Sequence, residues 1–185
     1  NRITPIIGDA SRNETREEIS LISNEYDVII DDASHISSDI IKNFINLAEL
    51  VSTSGVYIIE DLCCSYWNNY GGGLSHQGSA INFLKNIIDI INNEHWDLNI
   101  SLKTFFSSVG IKNISDQFIY KIAYINSISF YNSICVIRFS DSAISQKIGK
   151  RIARGTPSVN PKIGIDGQEI YAIAPTKKKV KKIKN

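Results

Sequence analysis

Two segments of the chain repeat one pattern, a run of apolar residues, several of them β-branched, that ends in two acidic residues. The first run is residues 26–32 (YDVIIDD) and the second is residues 56–61 (VYIIED). Uninterrupted apolar runs of this length predict strands buried on both faces, which is typical of parallel sheets. Between them, apolar residues over about 39–51 follow the helical period. This strand–helix–strand order predicts an open α/β sheet with right-handed crossovers.

Shorter elements are predicted around these two strands. Ile3, Ile6 and Ile7, followed by Gly8 and Asp9, indicate a short strand that ends in a turn. Also predicted are a helix over 13–22 with Asn13 as its N-cap, a loop over 62–78, a helix over 79–92, and a β-hairpin with strands at 124–130 and 133–139. We expect a domain over 1–140, an irregular extension over 141–176 and a basic tail over 177–185.

Composition fits one soluble domain. Hydrophobic residues make up 43% and charged residues 21% of the 185 residues, both ordinary proportions for globular proteins. No apolar run reaches the roughly 20 residues of a membrane helix, and no signal segment opens the chain, so we expect a cytoplasmic protein without membrane contact. Cys63 and Cys64 are adjacent and Cys135 is the third cysteine, which argues against a disulfide framework.

The formal net charge of +1 conceals an uneven distribution. Six lysines lie between Lys177 and Lys184, and the rest of the chain carries 14 basic and 19 acidic side chains, a net charge of −5. A lysine-rich tail can touch nucleic acid or anionic lipid, but such a tail is more often a solvated terminus. Nucleic-acid binding is therefore not expected, except through this tail.

Carboxylates follow both predicted strands at the sheet edge where open α/β proteins bind ligands. Asp31 and Asp32 end the first strand, and Glu60 and Asp61 end the second. Close carboxylates repel each other unless they share a proton or a cation, and oxygen ligands without thiolates favour Mg²⁺. His35, three residues after Asp32, is a candidate general base. The alternative is that these residues are helix caps and salt bridges.

Aromatic residues follow the second strand on a glycine-rich loop, SYWNNYGGG. Tyr66, Trp67 and Tyr70 could stack on a sugar or on a cofactor, or they could simply pack on the sheet edge. His76, within the loop, is a weak candidate for substrate contact. His95, beside Trp96, is expected to be structural.

Three ordered strings resemble a known family. DDASH from Asp31 to His35, GVYIIEDL from Gly55 to Leu62, and the SYWNNYGGG loop look like the metal-dependent macrolide and rhamnosyl sugar O-methyltransferases, which are close to cephalosporin hydroxylase-like proteins. The resemblance covers roughly residues 3–139. It implies a Rossmann-like, class I methyltransferase fold with a C-terminal β-hairpin.

The resemblance also implies roles for individual residues. Asp32, Glu60 and Asp61 would hold Mg²⁺, and His35 would be the general base. S-adenosylmethionine would be the cofactor, and the acceptor would be a sugar hydroxyl on a glycosylated small molecule. The residues implied in cofactor binding are Gly8, Asp9, Ala10 and Asp31, and those implied in substrate binding are Tyr66, Trp67 and Tyr70. The family also suggests a homo-oligomer.

The chain departs from the family pattern at its start. No glycine-rich cofactor loop precedes Asp9, and the sequence contains no methionine, so we expect an N-terminally truncated domain. Ala33 stands where glycine is common in the family. Two other functions remain open on this evidence: a metal-dependent hydroxylase or hydrolase built on the same acids, and a degenerate, non-catalytic binding domain.

Overall fold

The structure is a computed structural model that describes residues 2–96 and 99–143. The predicted basic tail, and the predicted extension from residue 144 onward, lie outside these residues. The helices are α1 (Asn13–Ile22), α2 (Ser37–Leu47), α3 (Ala80–Ile91), α4 (Leu102–Ser108) and α5 (Asp116–Ile122). The strands are β1 (Tyr26–Asp31), β2 (Val51–Ile59), β3 (Ile125–Tyr131) and β4 (Ile134–Phe139).

The four strands form one mixed sheet in the order β1-β2-β4-β3. β1 and β2 run parallel, with Asp31 beside Ile59, and β4 runs antiparallel to both β2 and β3. Strands β1, β2 and β3 therefore end at the same edge, which also carries the turn between β3 and β4. The predicted α/β fold with a C-terminal hairpin is confirmed.

One apolar core lies between the sheet and helices α2, α3 and α5. The Phe44 ring of α2 is fully buried, and its centroid lies 5.1 Å from that of Tyr57, 5.8 Å from that of Phe118 and 6.0 Å from that of Phe83. Tyr57 and Ile59 lie two residues apart on the same face of β2, and both are fully buried. Since burying one such side chain contributes about 1.5–3 kcal/mol, this packing holds the end of β2 in place.

The burial predicted for the first strand is wrong on one face. Val28 and Ile30 of β1 are 51% and 57% exposed, whereas Asp31 on the other face is buried. Helix α2 packs on the face that carries Asp31, whereas the described residues leave the face of Val28 and Ile30 largely uncovered. Within the described residues β1 pairs only with β2, so it is also an edge strand. A run of apolar residues cannot by itself distinguish an edge strand from a central one.

Several element boundaries also differ from the sequence-based ones. The α-helix predicted to reach residue 51 ends at Leu47 and is followed by a 3₁₀ turn, Ala48–Leu50, before Val51 pairs with Tyr26 at the start of β2. The hairpin turn falls at Asn132 and Ser133, one residue later than predicted, and Ser133 takes the left-handed conformation (φ 65°) that this turn requires.

Two predictions concern segments outside the sheet. Residues 3–7 form no strand, and Ile3 and Ile7 are 80% and 98% exposed, because no described strand pairs with this segment. Helices α4 and α5, seven residues each, were not predicted. Their N-caps Ser101 and Ser115 accept backbone hydrogen bonds from Thr104 and Phe118, so a local signal was present.

No helix among residues 2–96 and 99–143 has the length and apolar character needed to cross a membrane.

Candidate metal centre

The ends of β1 and β2 are tied together just before their acidic residues. The backbone N–H of Glu60 donates to the carbonyl of Asp31 at 3.0 Å, which extends the parallel pairing one residue beyond β2. Asp32 and Asp61 then leave the sheet at the same edge. Neighbouring strands lie roughly 4.8 Å apart, so the two side chains start close together.

Asp32, His35 and Asp61 form one cluster. Each side chain has one potential metal-ligating atom within 4.8 Å of such atoms of the other two. His35 Nε2 lies 3.7 Å from Asp61 Oδ2 and 4.0 Å from Asp32 Oδ1. The imidazole is 25% exposed, whereas the carboxylates are 60% and 58% exposed. A sheltered imidazole therefore lies beside two carboxylates that are open to solvent.

Two of these three residues have left-handed backbone conformations. His35 has φ 57° and Asp61 has φ 50°. This region is uncommon for residues other than glycine, although histidine and aspartate tolerate it better than most. Such conformations cluster at functional sites, where they turn a side chain toward a place that an extended backbone would not reach. Here they turn the chain after each strand and bring imidazole and carboxylate together.

Glu60 stands apart from this cluster. The family resemblance implies Asp32, Glu60 and Asp61 as metal ligands, whereas the structure groups Asp32 and Asp61 with His35. Glu60 is half-buried, and its backbone continues the pairing with β1. Its role as a ligand stays a prediction.

The donor set fits a hard cation. Two oxygens bound to one Mg²⁺ lie at most about 4.2 Å apart, because each is about 2.1 Å from the ion. The potential ligand atoms of Asp32, His35 and Asp61 lie within 4.8 Å of one another, close to that limit. Because Mg²⁺ prefers oxygen over nitrogen, the carboxylates suit the ion and the imidazole suits proton transfer.

Asp31, predicted to contact the cofactor, has its side chain inside the protein. Asn43 Nδ2 donates to Asp31 Oδ1 at 3.0 Å, and the Tyr57 hydroxyl donates to Asp31 Oδ2 at 3.4 Å. Burial raises the pKa of the Asp31 carboxyl, while these hydrogen bonds act in the opposite direction. Asn43 Oδ1 is buried and accepts no hydrogen bond from the described residues. Asp31 thus anchors the strand end that carries Asp32.

Asn43 was missed by the sequence reasoning. It lies on the buried face of α2, between Ile40 and Phe44, and it is 2% exposed. A polar residue on the apolar face of an amphipathic helix was the available signal, because a buried amide needs a partner.

The other residues predicted to bind the cofactor lie before α1. Gly8 and Asp9 are exposed, and Ala10 is half-buried. Asp9 Oδ1 accepts a hydrogen bond from the Ser11 backbone N–H at 2.9 Å, and hydrogen bonds from Ser11 and the Arg12 charge lower the pKa of its carboxyl. An exposed carboxylate retains sites for further donors, such as the amino group of an adenine ring. The predicted role of Asp9 is therefore chemically possible in this structure.

The aromatic loop consists of two 3₁₀ turns, Leu62–Tyr66 and Asn68–Tyr70. Tyr66 and Trp67 are 46% and 52% exposed, and the Trp67 ring lies 5.7 Å from that of Tyr70 in an edge-on arrangement. The loop folds back tightly at Gly72, where an added Cβ would lie 2.1 Å from the Ser65 carbonyl oxygen. The aromatic side chains are therefore presented on a constrained loop.

The other two histidines lie outside the cluster. His76 is exposed in the loop. His95 is exposed, and its Nε2 lies 3.3 Å from Glu94 Oε1; its expected structural role stays a prediction.

No protein-family model matches the chain. The mycinamicin VI 2''-O-methyltransferase of Micromonospora griseorubida is 34% identical over 96 residues, which are 50% of this chain and 24% of that protein. The demethylmacrocin O-methyltransferase of Streptomyces fradiae is 30% identical over 96 residues, again 50% of this chain and 24% of that protein. The matched region thus spans about a quarter of the length of these relatives.

Solved structures of a methyltransferase are also similar to this chain. The MycE methyltransferase of the mycinamycin biosynthetic pathway, in complex with Mg, SAH and mycinamycin VI, is 25% identical with a TM-score of 0.59, covering 75% of this chain and 32% of that chain. Another crystal form, with Mg and SAH, has a TM-score of 0.64 over 84% of this chain and 37% of that chain, at 24% identity. Over half of its sequence, and in its fold, the chain is similar to these O-methyltransferases.

Proposed function

We propose that this chain is part of an enzyme that transfers a methyl group from S-adenosylmethionine to a sugar hydroxyl of a glycosylated small molecule, with the assistance of Mg²⁺. The observation that carries the proposal is the convergence of Asp32, His35 and Asp61 at the ends of two parallel strands. The relatives support it, because two of them are named as O-methyltransferases, one of mycinamicin VI and one of demethylmacrocin. A cytoplasmic location and a homo-oligomer remain sequence-based predictions.

Asp32 and Asp61 would hold the metal, together with Glu60 as the sequence predicts. When bound, the ion would supply Lewis acidity to a sugar hydroxyl, whose proton is otherwise held too tightly for reaction at neutral pH. The open carboxylates leave room for hydroxyl oxygens or water to complete the coordination.

His35 would accept the hydroxyl proton at Nε2. The ring is largely sheltered, and its Nε2 lies 3.7 Å from Asp61 Oδ2 and 4.0 Å from Asp32 Oδ1. A positioned base of this kind typically accelerates a reaction by about 10²–10⁴-fold. The left-handed backbone conformation at His35 places the imidazole beside the two carboxylates.

Other residues would position the two reactants. Gly8, Asp9 and Ala10 would contact S-adenosylmethionine, which supplies the methyl group, and Asp31 would contribute at the strand end through its backbone. Tyr66, Trp67 and Tyr70 would contact the sugar or its neighbour. Alignment of two bound reactants is itself a large contribution to rate.

Transfer of a labelled methyl group to a glycoside tests this proposal in the full-length protein. We expect the transfer to require Mg²⁺, to stop with EDTA, and to fall by about 10²-fold or more in His35→Ala. His95→Ala is the matched control, since His95 lies outside the cluster. Full activity in His35→Ala would contradict the assignment of the base.

Binding of Mn²⁺, followed by electron paramagnetic resonance, tests the metal ligands without turnover. We expect Asp61→Asn to weaken binding more than Glu60→Gln, because only the former changes the cluster in the structure. Unchanged Mn²⁺ affinity in both Asp32→Asn and Asp61→Asn would remove the metal from the proposal.

A further inference from the structure

His35 lies on a short turn, residues 32–36, that connects β1 to the first residue of α2. Its backbone has φ 57°, in the left-handed region that residues other than glycine rarely adopt. Such a conformation persists only where the surrounding contacts determine it. The contacts that hold this turn should therefore also determine where the imidazole lies.

The serine immediately before His35 closes the turn. The backbone N–H of Ile36 donates to Ser34 Oγ at 3.2 Å, and Ser34 Oγ donates to Asp39 Oδ2 at 2.7 Å. We call this pair of hydrogen bonds, which joins Ser34, Ile36 and Asp39, the serine bridge. Because it ties the residue before His35 to the residue after it, the serine bridge restricts the backbone at His35 itself.

The serine bridge also connects the turn to a regular helix. The N-cap of α2 is Ile36, whose side chain cannot accept a hydrogen bond. In a capping box, the side chain of the third helical residue bonds directly to the N–H of the N-cap. Asp39 is that third residue, and here its carboxylate reaches the Ile36 N–H through the Ser34 hydroxyl. The Asp39 N–H in turn donates to the Ile36 carbonyl at 2.9 Å, so the first turn of α2 supports the bridge.

The position of the serine bridge favours a geometric role over a stabilising one. Ser34 is exposed and Asp39 is half-buried, and a hydrogen bond between groups that water can reach adds little net stability. The placement of a catalytic base matters much more, because a displacement of about 1 Å can cost about 10²-fold in rate. Loss of the bridge should therefore affect turnover more than folding.

We propose that Ser34 and Asp39 are positioning residues for His35, because their hydrogen bonds set the backbone that places its imidazole beside Asp61. The proposal rests on the function proposed above, in which His35 is the general base. Ser38 provides an internal comparison. Its hydroxyl donates to the other oxygen of the same carboxylate, Asp39 Oδ1, at 3.2 Å, but Ser38 follows the turn that carries His35.

Transfer of a labelled methyl group to a methyl rhamnoside by the full-length protein tests this inference. We expect Ser34→Ala to lower kcat about 10-fold with little change of KM, because the base is displaced while the binding groups stay in place. Ser34→Thr keeps the hydroxyl and should restore most of kcat. Ser38→Ala is the matched control and should leave kcat unchanged. In a His35→Ala background, Ser34→Ala should cause no further loss, since it acts only through His35.

Two substitutions at Asp39 test the other end of the serine bridge. Asp39→Ala removes the acceptor and should lower kcat as much as Ser34→Ala does. Asp39→Asn keeps an acceptor oxygen and should retain most of kcat. Mn²⁺ affinity should change little in Ser34→Ala and Asp39→Ala, because neither substitution removes a proposed metal ligand. A loss of Mn²⁺ affinity as large as the loss of kcat would overturn the inference, since the effect would then lie at the metal ligands.

Modification of histidines by diethyl pyrocarbonate, located by mass spectrometry, gives a measurement that needs no turnover. The His35 side chain is 25% exposed, so release of the turn in Ser34→Ala should raise its modification rate severalfold. His95, whose side chain is 57% exposed, is the internal reference, and Ser38→Ala should match the wild type. If the wild-type protein methylates no glycoside, the proposed function fails, and this measurement still decides the inference. Equal rates at His35 in Ser34→Ala and the wild type, or additive losses of kcat with His35→Ala, would overturn it.

Discussion

The hydrogen bond between Asn43 and Asp31 lies directly beneath the metal centre and offers a test of how the strand end is held. Asn43→Leu removes the amide that donates to the buried Asp31 carboxylate at 3.0 Å and keeps a side chain of similar volume. The Tyr57 hydroxyl, at 3.4 Å, is then the remaining side-chain donor to that carboxylate among the described residues.

The expected loss of stability in Asn43→Leu is the difference between two opposing contributions. A hydrogen bond to a charged group contributes about 1.5–3 kcal/mol. Leucine also removes the buried Asn43 Oδ1, which has no partner among the described residues, and so recovers part of that loss. We expect the free energy of unfolding to fall by about 1–2 kcal/mol, which lowers the urea midpoint by about 0.5–1 M.

A second substitution distinguishes this mechanism from general damage to the helix. Replacing all partners of a buried polar group with apolar residues is often nearly neutral, so Asp31→Leu combined with Asn43→Leu and Tyr57→Phe should recover most of the lost stability. Tyr57→Phe is included because the Tyr57 hydroxyl would otherwise lose its acceptor. Asn46→Leu, one turn later on α2, is the control, because its amide donates to the Ser11 carbonyl and the changes at Asp31 and Tyr57 should not rescue it. A triple variant less stable than Asn43→Leu alone would refute the reasoning.

Three further predictions concern the core, the backbone and the thiols. Phe44→Ala should lower the free energy of unfolding by about 3–5 kcal/mol in urea denaturation, because the ring is fully buried among three others; a loss below about 1 kcal/mol would contradict this packing. Asp61→Gly should be about 1 kcal/mol more stable than Asp61→Ala, since φ is 50° there, whereas both should lose Mn²⁺ binding; equal stabilities would argue against the left-handed backbone. Burial raises the pKa of the Cys135 thiol to about 12, so at pH 8 the thiol stays protonated. It should resist a thiol reagent that labels half-buried Cys63, and it should react only after denaturation. Rapid labelling of Cys135 in the native protein, located by mass spectrometry, would be inconsistent with its burial.

The sequence predicted the elements whose signals are local. Helix α3 was predicted to within a residue at each end, because its apolar residues keep the helical period and Ser79 caps its start. The parallel pairing of β1 with β2 followed from two apolar runs joined by a helix. The family resemblance rested on short strings within these same elements.

Only the tertiary structure showed which strand lies at the edge of the sheet and which strand faces are buried. The run that became β1 has the composition of a central strand, yet Val28 and Ile30 are exposed, because burial of a strand's face depends on which elements pack against that face. The apolar residues Ile3 and Ile7 likewise formed no strand. Strand formation requires a partner, and a partner is not a property of the segment itself.

In the candidate site, too, the sequence determined some features and the tertiary structure the others. The sequence determined that acidic side chains and a histidine follow two neighbouring strands, because residue type and spacing are properties of the sequence itself. Only the tertiary structure decided which of them meet. Left-handed turns at His35 and Asp61 bring these two together, and packing against Asn43 and Tyr57 takes the Asp31 carboxylate into the core. The direction of a side chain at a strand end is set by backbone angles and contacts that no local pattern specifies.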